Sequence, residues 1–334
     1  MRMIMIGTGP IGGIIGGRLA RAGHDIAFVD VDQEHIAAIR QNGLQVDVPD
    51  GPFNVRVPIF LPHELDGKFD VAFIAVRSNY TVDALNTALP HLAGEGLAVS
   101  LQNGINPPLL EKAVGPDRAI GVAIRMGCRK IGPGHVHTDI RGHLYIGHLH
   151  GKTTPSLETL HRVMNQVIPT EITDNIFGVL WSKLTYSCLG YFGSLADASL
   201  ATSCADGGCR RILAEFMGEV VAVGTLAGVR FIPLAEYDPA DFHPNRPIER
   251  RLEAANEMAK SWKFADRKGP LRQIQKGVVT EVDFTLGHVI REGERNRIPT
   301  PLCHKVLAMI HELQAGKRRL DMANYDQLKN LSLG

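Results

Sequence analysis

A glycine pattern at the very start of the chain constrains its fold more than any other feature. Met3-Ile4-Met5-Ile6 is a short apolar run that stops at Gly7-Thr8-Gly9-Pro10-Ile11-Gly12, after which Ile14, Ile15, Leu19 and Ala22 recur at helical spacing as far as Gly23. The order reads as strand, tight turn, helix. A second apolar run, Asp25-Ile26-Ala27-Phe28-Val29-Asp30, ends on an acid and is followed by a helix over 34–40. A lone G-x-G-x-x-G is a weak signal, but these contexts together predict a dinucleotide-binding βαβ unit. Gly7 permits the turn, Gly9 lets the backbone approach a pyrophosphate, and Gly12 lets the helix pack close to the strand. Pro10 and Ile11 open the helix whose N-terminal dipole favours phosphate. Asp30 lies where a carboxylate accepts from a ribose hydroxyl and repels a 2′-phosphate, and Val31 and Asp32 supply no arginine in its place. NAD is therefore expected over NADP. An FAD site or a ligand-free turn can begin the same way, and FAD fits poorly with a short chain whose second half is helical.

Continuous apolar runs at 71–76, 97–101 and 120–124 suit central strands of a parallel sheet covered on both faces. The segment 134–146 alternates and suits an antiparallel extension of that sheet. A helix over 157–167 and a short strand over 170–173 close the pattern. Beyond Asp174 the periodicity is almost wholly helical, at 176–189, 209–227, 248–262, 282–292 and 302–314. The fold class predicted is α/β, with an N-terminal doubly wound Rossmann sheet over 1–173 and an all-helical substrate and catalytic domain over 174–334. The Pro-rich stretch 231–247 reads as a long loop of the kind used for lids or partner contacts.

Composition removes several function classes. A formal net charge of +1 on 334 residues offers no field for a polyanion, so nucleic acid is an unlikely partner. No run approaches the length of a membrane span, and the opening apolar residues meet Gly7 too soon to form a signal peptide. Five cysteines, odd in number and widely spread, argue against a disulfide framework and for the cytoplasm. Cys204 and Cys209 lack C-x-x-C spacing and read as free thiols. Five histidines fall between His135 and His150, two pairs of them at i, i+2, but no Cys, Asp or Glu group in the sequence completes a set, so no metal is expected. The small residues Gly218, Gly224 and Gly228 suit close core packing or a homodimer contact.

Two residues of the helical half carry candidate chemistry. Lys183 interrupts the apolar stretch Val179-Leu180-Trp181-Ser182-Lys183-Leu184, where its stem could simply lie on apolar surface with the ammonium in water. Glu281 follows Thr280, which reads as the N-cap of a helix, and an acid there normally just complements the dipole. Spacing alone does not bring the two together.

The order Gly7-x-Gly9-x-x-Gly12, Ala75-Val76-Arg77, Gln102-Asn103-Gly104, Trp181-x-Lys183-Leu184, Thr280-Glu281-Val282-Asp283 and Ile298-Pro299-Thr300-Pro301 resembles the ketopantoate reductase (2-dehydropantoate 2-reductase) family over nearly the whole chain. The resemblance implies an NAD(P)-dependent reductase of a small 2-oxo acid, with Lys183 as general acid and Glu281 as its partner. It places Asn103 beside nicotinamide and substrate, and Arg77 where the family has a cofactor-contacting lysine. The chain also departs from the family. Ser187 and Tyr191 stand at the substrate-binding positions usually held by asparagines, Gly269 replaces a serine, and Asp30 opposes the common NADP preference. An opine-type dehydrogenase would call for a catalytic histidine, and a catalytically silent dinucleotide sensor would be expected to have lost Lys183 or Glu281.

Overall fold

A computed structural model describes residues 1–234, 237–261, 269–329 and 331. The chain divides into two compact units, Met1–Phe177 and Gly178–Gly334. The sequence reading put the break near Thr173. This division falls just inside the helix that opens the second half.

The N-terminal unit begins β1 (Met3–Ile6), α1 (Pro10–Arg21), β2 (Ile26–Val29), α2 (Gln33–Asn42), β3 (Leu44–Asp47), β4 (Phe53–Val55), β5 (Ile59–Phe60), β6 (Phe69–Ile74) and α3 (Thr81–Ala88). It continues β7 (Leu92–Ser100), α4 (Pro107–Val114), β8 (Ala119–Arg125), β9 (Cys128–Gly132), β10 (His135–Thr138), β11 (His143–Gly147), α5 (Pro155–Asn165) and β12 (Thr170–Ile172). The main sheet runs β12-β11-β8-β7-β6-β1-β2-β5. Its stretch β5-β2-β1-β6-β7-β8 is all parallel, so the strand order reverses at β1 and β6, the switch point where doubly wound sheets bind ligands.

The apolar runs are continuous because both faces are covered. Met3 and Met5 join one core with Ile14 of α1 and Leu157 of α5, while Ile4 and Ile6 join the opposite core with Leu85 of α3 and Leu110 of α4. Each such side chain, fully buried, contributes about 2 kcal/mol.

The antiparallel extension expected over 134–146 is made by β11 alone, which pairs antiparallel with β8. Residues His135–Thr138 leave the main sheet. As β10 they join a second sheet, β4-β3-β10-β9, parallel to β3 and antiparallel to β9. The alternation there explains the choice: Val46 and Val136 are fully buried, and a Cβ on Gly13 or Gly17 of α1 would meet them, while Gln45, Asp47, His135 and His137 lie on the wetter face. The second sheet is thus a cover for α1.

The C-terminal unit is helical in its described residues: α6 (Ile176–Phe192), α7 (Leu200–Ser203), α8 (Gly207–Leu226), α9 (Ile248–Ser261), α10 (Pro270–Gln275), α11 (Leu286–Arg295), α12 (Pro301–Gln314) and α13 (Ala323–Lys329). Trp262, expected to end α9, lies outside the described residues. Helix α8 is central and touches α9, α11, α12 and α13. Its glycines serve that packing, since a Cβ on Gly218 would strike Arg251 and one on Gly224 would strike Phe231 and Trp181. Glu219 of α8 caps α12 from outside, accepting from the Leu302 and Cys303 N–H groups at 2.9 Å each, while burial raises its pKa.

Two expectations change here. The helix predicted over 282–292 is a short turn at Val282–Phe284 followed by α11, because the Thr285 hydroxyl donates back to the Glu281 and Val282 carbonyls and interrupts the helical run. The described part of the 231–247 loop is docked rather than free. Ile232 N–H donates to Ser182 Oγ at 2.9 Å, the Tyr237 hydroxyl meets Thr185 Oγ1 at 2.7 Å, and Phe242 is fully buried. It straps α6 in place.

Candidate active site

The glycine loop adopts the shape its spacing demands. Gly7 has φ +92°, a left-handed conformation that side chains resist, and sits against Val76 across the switch point. A Cβ on Gly12 would run into the Gly7 carbonyl, so helix and strand touch backbone to backbone. Gly9 is the opposite case: a Cβ there meets nothing within 4 Å. Gly9 also caps α1 with no side chain bonding to the first turn, so the N–H groups after Pro10 receive no side-chain cap. Ile11 is half-buried behind them. This is a cradle shaped for an anion.

Asp30 stands at the end of β2, and its carboxylate is already engaged. Oδ2 accepts from the Thr8 N–H and Thr8 hydroxyl at 2.7 Å each, and Oδ1 accepts from the N–H groups of Val31 and Asp32 at 2.8 and 3.0 Å. Its first task is to hold Thr8. A cation also stands nearby, which the sequence did not announce. Lys130 of β9 reaches Asp32 at 2.6 Å, and that hydrogen bond, with the capping of α2 through His35 N–H, holds the Asp32 carboxyl below its ordinary range.

On the other side of the switch point, the loops after β6 and β7 are knotted together. Ser78 Oγ and Asn106 Nδ2 both donate to the Asn103 carbonyl, at 3.0 and 2.6 Å, and Gln102 Nε2 donates to the Val76 carbonyl at 3.1 Å and to Thr81 Oγ1 at 2.7 Å. Ser78, Thr81, Gln102 and Asn106 are buried, while Arg77 and Asn103 are exposed. The buried set fixes the backbone that presents the exposed pair. Sequence reasoning singled out Asn103 and Arg77 and missed Ser78 and Asn106, whose signal is only that polar residues cluster after two apolar strands.

In the C-terminal unit, Lys183, Ser187 and Tyr191 recur at i, i+4 and i+8 and share one face of α6. Lys183 is half-buried, and Ser187 donates back to its carbonyl at 3.3 Å. Tyr191 is 4% exposed, its hydroxyl bonded to Thr280 and Thr285 beside Glu281, and burial above all pushes its pKa up to about 12. Its hydroxyl therefore braces α6 against the segment that carries Glu281. Thr280 is fixed in turn, its N–H donating to Gln314 Oε1 at 2.6 Å. Trp181, fully buried, packs against the His288 ring at 5.4 Å, and desolvation lowers the His288 pKa to about 4. A half-buried neutral imidazole is what remains.

The histidine-rich segment does not form a single patch. His135 pairs with Asp47 at 2.7 Å and His137 with Asp139 at 2.6 Å on the second sheet, whereas His148 is buried beyond β11 and bonded to the Ala119 carbonyl and Thr154. Among the described residues, no three of His, Cys, Asp and Glu are grouped to hold a metal ion. All five cysteines are free, and Cys204 and Cys209 are buried with their sulfurs 3.5 Å apart. Among the described residues, no helix is long and apolar enough to cross a membrane.

Two family profiles match in series: "Ketopantoate reductase PanE/ApbA" over residues 3–151 and "Ketopantoate reductase PanE/ApbA C terminal" over 175–314. The chain is 26% identical to the 2-dehydropantoate 2-reductase of Pyrococcus horikoshii over 313 residues, spanning 93% of this chain and 96% of that one. In fold it is similar to a PanE/ApbA family ketopantoate reductase from Ralstonia eutropha JMP134 (TM-score 0.79, 23% identity, 95% of this chain and 99% of that one). It is similar to the same degree to a D-mandelate dehydrogenase solved with NADH and anilino(oxo)acetate (TM-score 0.79, 17% identity, 95% and 99%).

Proposed function

The chain belongs to the ketopantoate reductase family, a pyridine-nucleotide-dependent oxidoreductase of CH–OH groups, and from that premise we propose that it is an NAD-linked reductase of a small 2-oxo acid. The observation that carries the proposal is the α1 N-terminus, uncapped by any side chain and open above Gly9, which fits a pyrophosphate. Gly7, Gly9 and Gly12 shape the cradle, with Pro10 and Ile11 at the head of α1. Asn103 and Arg77, exposed on the loops after β7 and β6, would hold the nicotinamide half. When bound, the nicotinamide supplies the two electrons of the reduction.

The remaining work falls to the chain's own side chains. Reduction of a ketone builds negative charge on its oxygen, and a lysine ammonium at that oxygen stabilises the charge and delivers the proton. Lys183 takes that role. Glu281 favours the charged ammonium and holds it in position. Ser187, one turn on, faces the substrate. Tyr191 spends its hydroxyl on Thr280 and Thr285 and so presents ring rather than hydrogen-bonding group. A pocket with a serine and a buried tyrosine where the family has asparagines favours a 2-oxo acid with an apolar tail over a hydroxylated one. A D-mandelate dehydrogenase of the same fold was solved with NADH, which supports both the acid class and the preference for NAD.

Asp30 supports that preference by placing negative charge where a 2′-phosphate would go, and Lys130, the nearby cation, is committed to Asp32. The test is the oxidation of NADH and, separately, of NADPH across a panel of 2-oxo acids that includes ketopantoate and phenylglyoxylate. The proposal expects turnover with NADH and an apolar-tailed acid. Turnover only with NADPH and ketopantoate would replace it with the ordinary family activity.

A further inference from the structure

We propose that His35 is a positioning residue for the dinucleotide loop, tying the Thr8 carbonyl to the second sheet so that the glycine turn is already in its binding shape. The proposal rests on the reading of Gly7 to Gly12 as the pyridine-nucleotide loop. His35 lies in the first turn of α2, is 1% exposed, and spends both ring nitrogens. The Gly134 N–H donates to Nδ1 at 2.9 Å, and a main-chain N–H can only donate, so Nδ1 carries no proton. The proton is therefore on Nε2, which donates to the Thr8 carbonyl at 2.9 Å.

Thr8, itself fully buried, is thereby held at every polar atom, its N–H and hydroxyl on Asp30 and its carbonyl on His35. It sits between Gly7 and Gly9, the two most permissive residues of the turn. Without these bonds the turn would have to be ordered at the moment of binding, and that ordering would weaken affinity. The second sheet thus belongs to the cofactor machinery through Gly134, although its own residues stand behind α1.

The arrangement requires a neutral ring. The charged groups that face it are Lys130 from β9, Asp30 from the end of β2 and Asp32 from the cap of α2. Burial, first, and Lys130 lower the pKa of His35, while the Thr8 bond and the two carboxylates oppose them. A proton on Nδ1 would meet the Gly134 N–H head on. The folded ring has the lower pKa, so the contribution is fully present above the unfolded value of about 6.5 and is lost as pH falls through the folded value.

The experiment is the dissociation constant of NADH, read by nucleotide fluorescence, for the wild type, His35→Phe and His35→Gln across neutral to acid pH. His35→Phe keeps the volume and loses both bonds; its Kd should rise roughly tenfold while kcat at saturating NADH changes less than about twofold. His35→Gln can donate to Thr8 and accept from Gly134, so it should recover most of the affinity. Because it cannot titrate, it should also lose the acid-side weakening shown by the wild type. An unchanged Kd in His35→Phe, or the same acid profile in His35→Gln and wild type, would overturn the proposal, and the Gln variant decides it alone if the Phe variant does not fold. A wild type that binds neither NADH nor NADPH would instead remove the dinucleotide reading on which the proposal stands.

Discussion

The candidate residues of the N-terminal unit are glycines and main-chain groups, whereas those of the C-terminal unit are side chains, three of them spaced along one face of α6. The difference governs what each unit tolerates. A backbone site depends on the absence of a Cβ at Gly12 and on the φ of Gly7, so few residues can stand there. A side-chain site on a helix keeps its scaffold when an outward side chain such as Ser187 is exchanged. The cofactor half is constrained by backbone geometry. The substrate half is free to be rewritten.

The contrast can be broken most severely at Gly12. Gly12→Val forces α1 away from the Gly7 carbonyl and should cost roughly 3 kcal/mol or more, abolishing NADH binding in a fluorescence titration with protein that still shows native helix content. Binding within a few-fold of wild type would show that the backbone contact is not required.

The next largest effect is a pH dependence belonging to the C-terminal unit. His288 is neutral in the fold with a pKa of about 4, lowered from 6.5, so the unfolded chain binds the extra proton between those values. Stability from this group is present above the unfolded value and lost as pH falls through about 4, worth roughly 3 kcal/mol in all. Denaturant unfolding of His288→Phe should show a shallower loss of stability over that window than wild type. NADH affinity at neutral pH should not move.

Asp30→Asn sharpens the comparison, because a side chain there acts through backbone. An amide cannot accept from all four donors that Asp30 satisfies, so the Kd for NADH should rise roughly tenfold, while that for NADPH, relieved of the carboxylate's repulsion, should change less. A clean gain in NADPH affinity would mean that the carboxylate only repels a phosphate. The smallest effect is expected for Glu219→Gln. It leaves one N–H at the start of α12 facing an amide nitrogen and should lower stability by about 1 kcal/mol in thermal or urea unfolding, with cofactor affinity unchanged.

The same contrast explains what could be read in the sequence. The fingerprint Gly7 to Gly12, the parallel strands and the helical second half were legible because sterics and continuous apolar burial leave few alternatives. The second sheet was not, since its strands are short and the β3 to β10 pairing that joins its two halves links residues about ninety positions apart. That blindness hid the Lys130 to Asp32 and His35 to Gly134 contacts, each of which bears on the cofactor loop. Lys183 and Glu281 could be named only from the order of motifs, because an amphipathic lysine and a first-turn glutamate are ordinary features by themselves. The Tyr191 brace was invisible because its partners, Thr280 and Thr285, arrive from the irregular segment ahead of α11.

The central claim, that cofactor binding resides in the backbone of one unit and proton delivery in a side chain of the other, is tested most directly by Lys183→Ala. NADH affinity and turnover of the best 2-oxo acid should be measured on one preparation. The account predicts a Kd within about twofold of wild type and a kcat lower by roughly a thousandfold or more. Turnover that survives the substitution, or NADH affinity that falls with it, would contradict the claim.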